Sequence, residues 1–495
     1  MTMPSMDRRA MLLGAAATVA ALPARAQSLD STHRLADRLR RLPADGLDPS
    51  WYAVPPREAA TGDTAGYTAA VQSAARQALQ DLLHGRAQPP AARIDVRRDL
   101  SQVPLQPWLA EMQSGDAVAV LDRASDATPG AAAIKRALAE SEARAARGAL
   151  PQVPTGGTIE PGRSDAVRVP ALRARLAATD PALAATPVAD PARYDESLQA
   201  AVRRFQSAAG LEADARVGGG TQAALNRTAA MDALSLRVAL DMRRAATQPA
   251  RDRRIDVNIP DFMLHVREGD RAIMDMPVIV GRPARATPLL ATRMTSVQFN
   301  PPWGVPQRNA VEDKLPLLQR NPLALQRSGT RIFQRVEGEI VEVDPTTVDW
   351  RSFTRDRFPF FLRQDPGEAN ALGRLKFIMP NSEDIFMHDT PDRNLFARGE
   401  RAFSSGCIRL GAPMDFLVLA MEGLDGWDRA RMQSSIAAGR TFTIALRRQP
   451  AVRLLYNTVV VETDRVRVRP DIYGLDRAWW AAMERGAARP MAARS

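Results

Sequence analysis

Cysteine and histidine are both scarce in this chain of 495 residues. Cys407 is the single cysteine, and the four histidines are His33, His84, His265 and His388. A single thiol excludes internal disulfide bonds and clusters of thiolate metal ligands. No pair of histidines has the spacing of a metal site either, so we expect neither a metal ion nor another cofactor.

The composition is that of a globular protein with several domains. Hydrophobic residues make up 45% and charged residues 25% of the sequence, which excludes a polytopic membrane protein and a wholly disordered chain. The excess of 67 Lys and Arg over 56 Asp and Glu gives a net charge of +11, spread along the chain. This balance favours anionic surroundings such as envelope polymers. No motif of a nucleic-acid-binding domain accompanies it, so we expect no nucleic-acid partner.

Aromatic residues are rare in the first half of the chain. Six of them lie before position 251 and the remaining 20 lie beyond it. Aromatic side chains contribute large buried areas, so we expect the main β-rich core in the second half. The first half is rich in Ala, Arg and Leu, which favour helices.

Residues 1–26 have the layout of a signal peptide. The basic pair Arg8-Arg9 precedes the apolar residues 10–22, and a small-residue cleavage pattern ends at Ala26. The paired arginines suggest the twin-arginine export route. The alternative is an uncleaved anchor in the inner membrane, for which the apolar stretch is short. We expect the mature protein to work outside the cytoplasm.

The remaining chain divides by pattern into successive units. We expect a helical scaffold over residues 27–164, a second unit over 165–230, a connecting helix over 231–250, a β-rich domain over 251–475 and a C-terminal tail over 476–495. The β-rich domain begins where alternating apolar residues replace helical spacing. Its predicted strands include Ile255–Ile259, Phe262–Val266, Met276–Val280, Thr295–Phe299 and Gly338–Val343. The fold class is therefore α+β, with a mainly antiparallel β domain.

The second unit carries a helix signal of its own. Asp195 can cap a helix that presents Leu198, Val202 and Phe205 on one face. The string YDESLQAAVRRFQSAAGLEADARVGGGTQAALN resembles the small three-helix peptidoglycan-binding domain family. The resemblance implies glycan binding by residues 165–230, whereas packing alone would explain Phe205 equally well.

The residues with the clearest chemical potential lie between positions 386 and 410. His388 precedes Cys407 by 19 positions, and Ser404, Ser405 and Gly406 form a small-residue turn directly before the cysteine. A thiol is a competent nucleophile as the thiolate, which a neighbouring imidazole or positive charge favours. Consecutive N–H groups in such a turn can stabilise an oxyanion. The pattern therefore predicts nucleophilic catalysis by a Cys–His pair.

This segment, FMHDTPDRNLFARGERAFSSGCIRL, resembles the signature of the L,D-transpeptidase catalytic domain family, and most closely its long periplasmic type. Matching strings include VNIPDFMLHVREG, GRPARATP, VQFNPPWGVP, RQDPGEANALGRLKFIMPN and DIYGLD. The resemblance covers roughly residues 165–475. Many relatives have a second histidine where Ser405 stands here, which weakens any role for a second imidazole.

The resemblance implies a role for each matching position. Cys407 would be the nucleophile and His388 the general acid and base, with the backbone carbonyl of Asp389 orienting the imidazole ring. Oxyanion donors and substrate contacts are implied for Ser405, Gly406, Cys407 and Arg409. The family also implies a helical lid insertion at about residues 307–361, with Asn300 and Trp303 near the cleft. A position in the core would explain Trp303 equally well.

The implied activity is a transpeptidation of cell-wall stem peptides in the periplasm. A donor tetrapeptide would form a thioester on Cys407, and an acceptor amine would resolve it as a 3→3 cross-link. Carbapenem-type inhibitors would acylate the same thiol. An L,D-carboxypeptidase, a lipoprotein transferase or hydrolase, and a non-catalytic peptidoglycan-binding scaffold are the alternatives.

Overall fold

The computed structural model describes residues 28–209, 211–247, 251–463 and 465–486. The expected signal peptide lies outside the described residues. Within these ranges, no helix combines the length and apolar character that crossing a membrane requires.

The first unit is a helical bundle with a core rich in small residues. Its helices are α1 (Leu29–Arg40), α2 (Ala59–Gly62), α3 (Thr64–His84), α4 (Leu105–Ser114), α5 (Ala117–Asp126) and α6 (Ala131–Ala146). Asp63 and Asp116 accept hydrogen bonds from backbone N–H groups at the start of α3 and α5. The buried alanines of α3, Ala74, Ala75 and Ala78, let neighbouring helices approach closely.

The second unit is small and helical, as its sequence pattern predicts. Its helices are α7 (Arg168–Ala177), α8 (Pro181–Ala184), α9 (Glu196–Ala208) and α10 (Gly219–Leu225). Asp195 caps α9 by accepting the N–H of Leu198 at 2.9 Å. Leu198 and Val202 are fully buried, and Phe205 packs partly buried against the same core. Helix α11 (Ala229–Arg243) then leads to the β domain.

The β domain begins with β1 (Arg254–Asn258), β2 (Met263–Glu268), β3 (Arg271–Gly281), β4 (Leu290–Arg293) and β5 (Ser296–Phe299). An insertion follows, containing β6 (Trp303–Gly304), α12 (Gln307–Asn309), α13 (Leu315–Arg320), β7 (Thr330–Val336), β8 (Glu339–Glu342) and β9 (Phe360–Gln364). The chain then continues with β10 (Leu375–Ile378), β11 (Met387–His388), β12 (Ala402–Ser404), β13 (Ile408–Leu410), α14 (Pro413–Ala420), α15 (Arg429–Ala437), β14 (Phe442–Ala445) and β15 (Ala451–Leu455).

The insertion is not only helical, contrary to the expectation from the family resemblance. It also contains a four-stranded antiparallel sheet in the order β6-β9-β7-β8. The reason is a separate apolar core that includes Trp350, Phe358 and Phe360. Burial alternates along β9, where Phe360 is buried and Phe361 is exposed, as in a sheet covered on one face.

The main sheet of the β domain is mostly antiparallel. Within the described residues its strand order is β14-β5-β10-β11-β13-β3-β2-β1-β15-β4, and β12 pairs additionally with β3. Val257, Val278, Phe299 and Phe377 are among its fully buried residues. Near its centre, β11 pairs in parallel with β13, and His388 is the register partner of Arg409. This pairing brings the residues after position 386 beside those after position 407.

The segment expected to be a tail folds back onto the first unit. After the hairpin β16 (Val459–Glu462) and β17 (Arg465–Val468), helix α16 extends over Leu475–Arg485. Trp479 is 0% exposed in the core of the first unit, and its indole N–H donates to Asp241 at 2.9 Å. The expectation of a tail from position 476 is therefore wrong over this helix, because its apolar face covers a core that begins more than 400 positions earlier.

Burial of one carboxyl at the start of α16 predicts a pH-dependent stability. Burial, together with the charge of Asp471, raises the pKa of Asp476 to about 6. The protonated form is thus favoured by the folded state, and the stability it contributes is lost as the pH rises from about 4 through about 6. We therefore expect the difference in unfolding free energy between Asp476→Asn and wild type to grow in favour of the variant by about 1.5 kcal/mol from about pH 5 to about pH 8.

Chemical denaturation at both pH values measures this gain. Asp425→Asn, at an exposed position, is the control, and we expect the same small difference from wild type at both pH values. An Asp476→Asn difference that does not grow with pH would contradict the prediction.

Candidate active site

A cleft of about 730 Å³ separates the main sheet from the insertion. The side chains along it come from the insertion, from strands β10, β11 and β13, and from the turns before them. Those with polar or reactive groups include Trp303, Arg308, Lys376, Glu383, Asp384, His388, Ser404, Ser405, Cys407 and Arg409. Two candidate reactive groups, the thiol and the imidazole, therefore share one covered site.

Cys407 lies in the tight turn between β12 and β13. Ser404 fixes this turn, because its hydroxyl donates to the carbonyl oxygen of Cys407 at 2.6 Å and accepts the N–H of Gly406 at 3.1 Å. Gly406 has a φ of +121°, a conformation that residues with side chains rarely adopt. The turn leaves Cys407 only partly buried and facing the cleft.

The hydrogen bond of His388 defines the state of its ring. The imidazole is 5% exposed, and its Nδ1 lies 2.5 Å from the carbonyl oxygen of Asp389. A carbonyl oxygen can only accept, so Nδ1 carries the proton and Nε2 keeps a free lone pair. The ring is thus held as the tautomer that can accept a proton from a nucleophile.

The resting thiol and imidazole are both neutral. Burial raises the pKa of Cys407, although the backbone of Phe386 and the charges of Lys376 and Arg409 lower it. Burial, and then the charge of Arg409, lowers the pKa of His388 to about 3. A thiolate–imidazolium pair is therefore disfavoured at rest at neutral pH, and the side-chain charges that favour the thiolate are those of Lys376 and Arg409.

The N–H groups of the turn are not equally available as oxyanion donors. That of Gly406 is already bonded to Ser404, which removes Gly406 from the donors implied by the resemblance. The hydroxyl of Ser405 accepts from Arg285 at 2.8 Å. The N–H groups of Ser405 and Cys407 are the donors that this turn can offer.

Asn300 does not line the cleft, contrary to expectation. It is 0% exposed, and its side-chain amide donates to the carbonyl oxygens of Ser435 and Arg440, both at 3.2 Å. A φ of +43° at Asn300 turns the chain between β5 and the insertion. The residue therefore anchors the start of the insertion to α15 and to the segment between α15 and β14. Trp303, by contrast, does line the cleft.

Arg409 and Asp389 each have a charged partner. Arg409 donates to the carboxylate of Asp392 at 2.8 Å, so its charge is paired. The side chain of Asp389 pairs with the guanidinium of Arg393, and it accepts the backbone N–H groups of Arg374 and Thr390 at 2.9 and 2.6 Å. These bonds fix the carbonyl that orients His388.

Sequence reasoning missed Lys376 and Arg285. Lys376 lies on β10 as the register partner of His388. Arg285 is buried and bonds Glu312 at 2.5 Å and Asp313 at 2.6 Å, besides Ser405. The adjacent acidic residues Glu312 and Asp313 are visible in the sequence as a possible partner for a cation. Only the fold shows that this cation is Arg285, which belongs to the GRPARATP string. Arg285 thus joins the insertion to the turn that carries Cys407.

Candidate metal ligands do not gather anywhere in the part of the chain that the structure describes. No three His, Cys, Asp or Glu side chains form a group there that could hold a metal ion.

Comparisons with known proteins relate two parts of the chain to known families. Residues 252–425 match the family model of the L,D-transpeptidase catalytic domain, and residues 167–225 match a family described provisionally as a peptidoglycan binding domain. A Haemophilus influenzae protein with the provisional name L,D-transpeptidase is 36% identical over 245 residues, 49% of each chain. The match thus spans about half of that relative's length. The resemblances inferred from the sequence are confirmed at the level of these two domains.

Two solved structures were also found. An L,D-transpeptidase from Stackebrandtia nassauensis is 13% identical, with a TM-score of 0.19 over 62% of this chain and 98% of that chain. One from Xylanimonas cellulosilytica is 15% identical, with a TM-score of 0.17 over 61% of this chain and 100% of that chain. Scores this low establish no shared fold by themselves.

The bonds of Arg285 predict how the insertion opens. Arg285→Ala removes both ion pairs to Glu312 and Asp313 together with the bond to Ser405. Hydrogen bonds to charged groups contribute about 2 kcal/mol each, so we expect the segment 310–320 to open at least roughly thirty-fold more often. Amide hydrogen exchange followed by mass spectrometry measures this opening.

Arg282→Ala is the matched control. Arg282 is partly exposed and reaches Asp313 only at 3.4 Å, so we expect a much smaller change in exchange. Equal exchange in the two variants would contradict a specific role for Arg285.

Proposed function

We propose that this protein is an exported peptidoglycan L,D-transpeptidase that forms 3→3 cross-links through a thioester on Cys407. The observation that carries the proposal is the shared cleft of Cys407 and His388, with Nδ1 of the ring bonded to the Asp389 carbonyl. The match of residues 252–425 to the L,D-transpeptidase catalytic domain supports the same reaction class.

The first half-reaction acylates the enzyme. The thiol proton passes to Nε2 of His388 as Sγ attacks the carbonyl carbon of the third, L-centred residue of a donor tetrapeptide. The resulting oxyanion is met by N–H groups of the turn at Ser405 and Cys407. When the tetrahedral intermediate collapses, His388 returns the proton to the amine of the terminal D-Ala, which leaves. Cys407 then carries a thioester.

The second half-reaction transfers the acyl group. An amine from a neighbouring stem peptide, on meso-diaminopimelate by the family resemblance, attacks the thioester carbon and gives its proton to Nε2. The C–S bond breaks, the thiol is restored by the same proton, and a 3→3 cross-link remains. Throughout both halves Nδ1 keeps its proton on the Asp389 carbonyl, which holds the ring in one orientation.

Water competes with the acceptor amine for the same thioester. The insertion covers the cleft with Trp303 and Arg308, and exclusion of water by this cover favours aminolysis over hydrolysis. Hydrolysis would make the protein an L,D-carboxypeptidase, and a protein amine as acceptor would make it a lipoprotein transferase. The match of residues 167–225 to a peptidoglycan-binding family supports murein as the substrate in each case. Carbapenem-type β-lactams are expected to acylate Cys407.

The nucleophile can be tested on purified substrate. We expect the protein, incubated with disaccharide-tetrapeptide, to give a dimer that has lost one alanine, detected by mass spectrometry. Cys407→Ala should give no dimer, because no thioester can form. His388→Gln should lower the rate by about a hundredfold or more, because the proton acceptor is lost.

His265→Gln is the control for loss of an imidazole, since His265 bonds Asp275 outside the cleft. We expect dimer formation close to that of wild type. Dimers made by Cys407→Ala would disprove the mechanism, whereas tripeptide without dimers from the wild type would indicate the carboxypeptidase.

A further inference from the structure

Lys376 places an ammonium group in the cleft. It lies on β10 opposite His388 in the antiparallel register, and its Nζ lies 3.9 Å from the centre of the Phe386 ring. The side chain is partly buried. Among the described residues, no carboxylate lies within 4.0 Å of this ammonium and none accepts a hydrogen bond from it. A half-buried cation without an ion pair is unusual and calls for a partner.

The other charges around Cys407 do not balance a thiolate. The titratable or charged side chains that line the cleft are Arg308, Lys376, Glu383, Asp384, His388 and Arg409. Asp384 and Glu383 are acidic and disfavour a second negative charge. His388 is neutral at physiological pH, because its pKa is held at about 3 by burial and then by Arg409.

The remaining two cations of the cleft are already paired. Arg409 bonds Asp392 at 2.8 Å, and Arg308 bonds Glu312 at 3.2 Å. Lys376 differs from both because no carboxylate lies within ion-pair distance of its ammonium, although the charge of Asp384 acts on it from beyond 4.0 Å. The electrostatic coupling between Lys376 and Cys407 acts on both groups: it lowers the pKa of the thiol and opposes the fall that burial imposes on the pKa of the lysine.

We propose that Lys376 is a positioning residue whose ammonium is the countercharge of the Cys407 thiolate. Its cation–π contact with Phe386 holds it in the cleft, since the backbone of Phe386 pairs with the strand that follows Cys407. The thiol proton goes to His388, and the negative charge left on sulfur faces Lys376. The inference rests on the proposed role of Cys407 as nucleophile and not on which acceptor resolves the thioester.

The pH dependence of thiol alkylation tests this role without any peptidoglycan. Iodoacetamide reacts with the thiolate, so the midpoint of the rate against pH reports the ionisation of Cys407, and intact mass confirms a single adduct. We expect Lys376→Met to raise the midpoint by about one pH unit, which is about tenfold less thiolate at neutral pH. Lys376→Arg should restore a midpoint close to that of wild type.

Lys314→Met is the matched control. It removes the same charge from a lysine of the insertion whose Nζ lies 5.9 Å from the Trp303 ring, and we expect an unchanged midpoint. Lys376→Gln is a second neutral variant should Lys376→Met fail to fold, and circular dichroism verifies folding in each case.

A midpoint that stays at the wild-type value in the folded neutral variants would overturn the inference, as would an equal shift in Lys314→Met. Either result leaves the proposed transpeptidation intact, because cross-linking is assayed separately. Conversely, if the wild-type protein makes no dimers while Lys376→Met shows the expected shift of the midpoint, the proposed function alone is refuted.

Discussion

The site depends on the parallel pairing of two very short strands, Met387–His388 and Ile408–Leu410. The pairing sets His388 beside Arg409, two positions beyond Cys407, and so brings an imidazole and a thiol to one edge of the cleft. Neither strand is long enough to be stable alone. They are fixed because β10 and β3 flank them in the sheet, and because Ser404 and Asp389 bond the turns at their ends. The large apolar core beneath the sheet thus stabilises two strands of two and three residues.

Burial gives this site its electrostatic character. It favours the neutral thiol and the neutral imidazole, so in the proposed mechanism a thiolate forms only as a proton moves between them, and the fixed charges around the cleft determine how costly that step is. Arg409 contributes a charge shared with Asp392, whereas Lys376 contributes one that forms no ion pair within 4.0 Å, although the charge of Asp384 acts on it from farther away. The Nδ1 bond to the Asp389 carbonyl serves a different end, since it selects the tautomer without adding charge. Orientation and charge compensation are therefore supplied by different residues, on neighbouring strands.

The sequence carries some of these features and conceals others. Local signals predicted the capped helix at Asp195 and the strands of the β domain, because capping and alternation depend on neighbouring positions. The small-residue turn before Cys407 and its distance from His388 predicted the Cys–His pair, and the family resemblance added a role for each residue. Lys376 was not predicted, since its place in the cleft follows from the register of β10 with β11. Asn300 was expected at the cleft, but a left-handed turn directs it inward. Trp479 was expected in a tail, but it packs into a core formed by helices that are far away in sequence, which no local pattern reveals.

Arg285 links the insertion to the turn that carries Cys407. The insertion has its own apolar core, and β6 and β9, the strands by which the chain enters and leaves it, pair with each other where Trp303 lies opposite Gln364. A unit with a separate core and a narrow base can move as one body, so its contacts with the catalytic domain determine its resting position. Arg285 makes such contacts and also bonds Ser405, whose N–H is a candidate oxyanion donor. A movement that separated Glu312 and Asp313 from Arg285 would therefore also change the surroundings of the turn that carries Cys407, so in the proposed mechanism access to the cleft and the geometry of the turn are coupled.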